Sequence, residues 1–125
     1  MIRADCIEDE YMALSQFTKR LVETELSKYC SARIPSQALN QVRLTFRIRG
    51  NNVTLFEERP AFKYPSNWVT IPIAQFRFDA DTKKWTLYCA DRNARWHLYD
   101  RVKPRADFDA LLKAMDRDPT GIFWG

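Results

Sequence analysis

The sequence predicts an α+β domain: a five-stranded antiparallel meander sheet with an N-terminal long helix and a C-terminal helix packed on one face. Three observations carry this. Apolar residues recur at helical spacing up to Cys30, alternate with period two from Val42 to Tyr99, and return to helical spacing after Pro104. The connections between the alternating runs are short enough for antiparallel neighbours. With 125 residues, 46% of them hydrophobic, the chain is read as one domain, residues 1–125, able to bury a core without disulfide or metal staples.

From about Glu8 to Ala32 the apolar stripe is Leu14, Phe17, Leu21, Val22, Leu26, Tyr29 and Cys30, with Lys19, Arg20, Glu23 and Lys28 on the other side. Early acids and the later Lys28 and Arg33 suit the helix dipole. Pro35 ends the helix, because proline pushes the residue before it out of helical geometry.

The first strand then sets Val42, Leu44, Phe46 and Ile48 against Arg43, Thr45, Arg47 and Arg49. Gly50-Asn51-Asn52 is a tight-turn signal, and Val53, Leu55 and Glu57 return opposite Thr54, Phe56 and Glu58. A Gly50-Asn51 loop places Arg43 across from Glu58. Pro60 closes this hairpin, and residues 62–67 read as an aromatic loop. In the third run Ala74, Phe76 and Phe78 share a face opposite Ile73, Gln75 and Arg77.

The last hairpin spans Trp85 to Tyr99. Trp85, Leu87 and Cys89 form one apolar set and Ala94, Trp96 and Leu98 a second, leaving Arg95, His97 and Tyr99 outward. For both sets to meet one core the loop must be even in length, either Arg92-Asn93 or Ala90 to Asn93. Pro104 breaks the strand, and Asp107 is a natural N-cap for a helix carrying Phe108, Leu111, Leu112 and Met115. Asp118-Pro119-Thr120-Gly121 stops it, and Ile122-Phe123-Trp124 is apolar enough to pack back on the body.

Three stretches together resemble one family: Val53 to Pro60, Asp91 to His97, and Asp118 to Gly125. They are similar to small bacterial proteins known as domain of unknown function 3024, and the likeness runs from about Phe17 to the C-terminus. The resemblance implies a bacterial single-domain protein and brings no activity, cofactor or catalytic residue.

The function classes narrow by chemistry. Only three glycines argue against glycine-rich phosphate loops, and a net charge of +4 suits acidic partners without requiring them. The single His97 and the scattered Cys6, Cys30 and Cys89 give no zinc-ligand spacing, so no metal or cofactor is expected. An odd set of widely spaced cysteines fits reduced thiols, and the acidic start (Asp5, Glu8, Asp9, Glu10) has no apolar leader. No run approaches a membrane span, so the expected location is cytoplasmic, with no membrane partner.

A Cys89–His97 nucleophilic pair is disfavoured by the predicted hairpin, which puts them on opposite faces. Glu57 has core parity and needs a partner such as Arg59 or Arg92. An enzyme would therefore need a polar pocket around Glu57, Arg92, Asn93 and His97. The favoured reading is a non-enzymatic binding module using the outer sheet face. There Arg43, Arg47, Arg49, Arg77 and Arg95 interleave with Phe56, Tyr88, His97 and Tyr99, and Glu58 is the one acid among them. A protein partner or self-association is the expected use. The alternative is single-stranded nucleic acid, whose phosphates and bases suit arginines and rings.

Overall fold

A computed structural model describes residues 14–125 of the chain. Helix α1 (Gln16–Arg33) is followed by a 3-10 turn (Ser36–Ala38). Five strands come next: β1 (Arg43–Arg49), β2 (Asn52–Pro60), β3 (Trp68–Asp79), β4 (Lys84–Ala90) and β5 (Trp96–Leu98). Helix α2 (Phe108–Arg117) closes the order. The sheet is a meander, β1-β2-β3-β4-β5, antiparallel throughout. This is the α+β architecture expected from the sequence. No described helix is long and apolar enough to cross a membrane.

Helix α1 starts later than the apolar spacing suggested. Ser15 is its N-cap, in extended geometry with its hydroxyl accepting from the Thr18 amide, so α1 begins at Gln16. Residues 1–13, which include the early acids and Cys6, lie outside the described residues, and the first turn of α1 carries no acid. The stripe is also narrower than expected. Val22 and Leu26 are fully buried, whereas Phe17 and Leu21 are exposed. The other end is as predicted: Pro35 holds Ile34 extended and Arg33 sits in the last turn.

The first hairpin follows its sequence signals. Gly50 takes φ +57, where a side chain would be strained, and the two-residue loop sets Arg43 opposite Glu58 and Ile48 opposite Val53. In β3 a bulge opposite Leu55 and Phe56 skips one residue, Ile73. That extra residue turns inward and is buried, so Ile73 does not share the face of Gln75 and Arg77 as strict alternation required.

Between β4 and β5 the expected parity fails. The pairs are Tyr88–Leu98, Cys89–His97 and Ala90–Trp96. The cause is a loop of odd length. Asp91 and Arg95 close it by a backbone bond of 2.9 Å, and Ala94 adopts φ +61 between them. The Asp91 carboxylate accepts from the amides of Asn93 and Arg95, which makes the odd loop stable without a glycine. Tyr99 therefore faces the core, 5% exposed, while Leu98 and Trp96 lie on the outer face.

The core lies on one side of the sheet, under both helices. Phe76 and Phe108 rings meet at 4.9 Å, and Trp85 sits 5.0 Å from Phe108 and 4.9 Å from Phe78. Asp107 caps α2 as expected, which turns Phe108, Leu111, Leu112 and Met115 inward. The apolar tail packs on the same side, with Phe123 against Tyr99 at 4.9 Å. The outer face stays clear of it.

Candidate binding face

Alternation along β1 to β4 sends one set of side chains away from both helices. Cross-strand pairing aligns them in rows: Arg49–Asn52–Arg77–Thr86, then Arg47–Thr54–Gln75–Tyr88–Leu98, then Arg43–Glu58–Thr70. Three of the arginines are held on rings. Arg77 lies 3.8 Å over Tyr88, Arg43 3.9 Å over Trp68, and Arg47 5.0 Å over Phe56. Arg77 is fixed further, its Nε donating to Gln75 Oε1 at 2.6 Å, while Gln75 Nε2 donates to Thr54 Oγ1.

The arginines of this face form no ion pair among the described residues, and Glu58 is the one acid beside them. The ion pairs among the described residues are Arg33–Asp116, Arg59–Glu57, His97–Asp91 and Lys113–Asp109, and none involves Arg43, Arg47, Arg49 or Arg77. Arg43 stands across from Glu58 in register but gives its Nε proton to the Leu39 carbonyl instead.

Of the residues expected on this face, Arg43, Arg47, Arg49, Arg77 and Tyr88 lie there. Arg95, His97 and Tyr99 do not, because the odd loop inverts the second half of the last hairpin. Trp68 and Trp96 lie on the outer face instead. Trp68 was hidden in the sequence because β3 begins five residues before the alternation that starts at Ile73.

A family model described as Domain of unknown function (DUF3024) matches residues 14–125. The chain belongs to this family. No curated protein and no solved structure matches it. Residue roles in this DUF3024 chain must therefore come from its own geometry.

That geometry does not assemble the alternative polar pocket. Glu57 lies on β2, where its two oxygens accept from Arg59 Nε and Nη2 at 3.0 and 3.2 Å. The pair raises the Arg59 pKa through that hydrogen bond. Glu57 lines a cavity of about 590 Å³ with Tyr29, Arg33, Asp116 and Trp124. Arg33 bonds Asp116 at 3.1 Å and stacks 4.0 Å over Trp124. Burial, then the hydrogen bond to Asp116, raises the Tyr29 phenol well above its ordinary range. Each cation in this cavity already has a carboxylate. Arg92, Asn93 and His97 sit at the β4–β5 end of the sheet, with β3 and β4 between β2 and β5.

Cys89 and His97 are directly paired, contrary to the opposite faces expected for them. Yet the thiol donates to the His97 carbonyl at 3.5 Å, and the His97 ring turns to Asp91 Oδ2 at 2.7 Å. Burial raises the Cys89 pKa, the wrong direction for a nucleophile.

The Asp91 carboxyl is pulled down to about 2, first by the His97 hydrogen bond and then by the Arg95 amide. An unfolded Asp titrates near about 3.9. A depressed folded value means that the stabilisation is present above that pH and is lost as pH falls toward 2. An NMR titration of the Asp91 side-chain carbon should give a midpoint near 2 in the wild type and a clearly higher one in His97→Ala. Equal midpoints would show that His97 is not the cause.

Proposed function

We propose that this chain is a non-enzymatic binding module of the bacterial cytoplasm whose outer sheet face docks an acidic protein partner. The observation that carries this is a set of four arginines on one sheet face, none of them in an ion pair and three of them held against rings. A guanidinium already ordered by stacking loses less freedom when it pairs with a partner carboxylate. The same stacking covers the ring faces of Phe56, Tyr88 and Trp68, which a single-stranded nucleic acid would use for its bases. Self-docking through this face would set arginines against arginines, which like-charge repulsion opposes. The cytoplasmic placement is supported by the unpaired Cys30 and Cys89.

The test is a titration of the full chain with labelled poly-glutamate, single-stranded RNA and single-stranded DNA at low and moderate salt. Wild type should bind poly-glutamate, and Arg47→Glu/Arg77→Glu, checked for folding, should lose about tenfold or more of that affinity. Preference for RNA or DNA with the same arginine dependence would replace the protein partner by nucleic acid. Absence of binding, or binding indifferent to the double variant, would retire the face altogether.

A further inference from the structure

We infer that β1 is a docking edge, to which a partner segment adds as a sixth strand with acidic and apolar residues in alternation. The inference rests on the proposed binding face and names the kind of partner it takes.

The edge itself is the first observation. β1 is the outermost strand, seven residues long, and pairs on one side with β2. Among the described residues, no backbone bond from outside that ladder reaches residues 43–49. Half of the backbone amides and carbonyls of such a strand point outward and form a template for another strand. The opposite edge, β5, has three residues and offers far less.

Charge decides what the edge accepts. Arg43, Arg47 and Arg49 stand on the outer side of β1, and Leu44, Phe46 and Ile48 on the core side. Side chains directly opposite in added strands lie about 5 Å apart. A second copy pairing through β1 would bring arginine against arginine, so this pattern works against self-association. An incoming strand with acids on the outer side meets three cations instead. Its alternate residues face the core side, where Cys30, Ile34, Leu39 and Leu44 line a groove of about 360 Å³ beside the start of β1. That groove takes an aliphatic side chain. Edge hydrogen bonds, outer charge and inner groove thus ask for the same acid–apolar alternation.

The test uses a capped peptide, Glu-Val-Glu-Val-Glu-Val-Glu, titrated into the full chain, with two further peptides N-methylated either at every Val or at every Glu. Amides on alternate residues point to opposite sides, so strand addition makes one methylation pattern lose about tenfold or more while the other binds. Arg47→Glu/Arg49→Glu should lose the parent peptide to a similar extent, and the β1 amides should exchange more slowly with it bound. If both methylated peptides bind like the parent, or the double variant binds unchanged, strand addition is wrong. If the peptide fails while poly-glutamate binds, the edge is wrong and the outer face stands. If neither binds, both readings fall.

Discussion

Replacing Trp85 with alanine is expected to cost about 3–5 kcal/mol of folding stability. Trp85 is 2% exposed, and its ring lies between Phe78 and Phe108, so truncation leaves a cavity that two aromatic neighbours define. Its backbone is unaffected by the change. Trp85 N and O bridge Arg105 O and N at 2.6 and 3.0 Å, fastening the segment before α2 to β4. A domain of this size has about 5–15 kcal/mol in total, so the loss takes a large share. Urea denaturation of Trp85→Ala, Trp85→Phe and Phe62→Ala checks it. Trp85→Phe should lose less than the alanine variant, and Phe62→Ala, at a fully exposed loop position, should lie within about 0.5 kcal/mol of wild type. Similar midpoints for Trp85→Ala and Phe62→Ala would mean that the aromatic cluster does not hold the domain.

That cluster was legible in the sequence because each of its members obeys a local rule. Phe76 and Trp85 have core parity on their strands, and Phe108 follows the Asp107 cap. The first hairpin was legible for the same reason: Gly50 and Asn51 specify a two-residue loop, and loop length sets register. The last hairpin was not, although its alternation is as clear. Two registers there satisfy period two, and choosing between them needs the loop length. A buried Tyr99 and a half-buried Trp96 are equally good amphipathic residues, so hydrophobicity could not choose. Asp91 decides it by holding Asn93 and Arg95, and Ala94 takes a positive φ that its residue type does not advertise. The inversion of one short strand moved Arg95, His97 and Tyr99 off the candidate face and brought Trp96 and Leu98 onto it. The β3 bulge at Ile73 was hidden in the same way, since an inserted residue is invisible until its partner strand is known.

The two faces of the sheet thus divide the work by chemistry. The inner face takes both helices and the tail, and the two arginines of its cavity are matched: Arg33 with Asp116, Arg59 with Glu57. The outer face keeps its four arginines out of ion pairs and lays three of them on rings. Unpaired charge at a solvated surface costs the fold little, whereas it dominates encounter with an oppositely charged partner. This contrast is the reason to look for function on the outer face, although the inner side contains the cavity of about 590 Å³ beside Glu57.

Keeping the outer face clear depends on where the tail goes, and Asp118 directs it. Asp118 ends α2 in the left-handed region at φ 39, and its carboxylate accepts from Phe123 N at 3.2 Å and Trp124 N at 2.8 Å. Gly121 turns between them at φ +71, where an added Cβ would stand 3.1 Å from the Gly125 backbone. These bonds seat Phe123 on Tyr99 and Trp124 under Arg33. Asp118→Ala removes the acceptor for both amides and places a residue without the Asp tolerance for left-handed geometry, an expected loss of about 2–4 kcal/mol. Asp118→Asn keeps that tolerance and one acceptor oxygen, so it should fall between alanine and wild type. Carboxypeptidase should trim the alanine variant faster than wild type under native conditions, because release of the tail is local opening. Unchanged stability and unchanged trimming would show that packing of Phe123 alone places the tail, and Phe123→Ala would then give the larger effect.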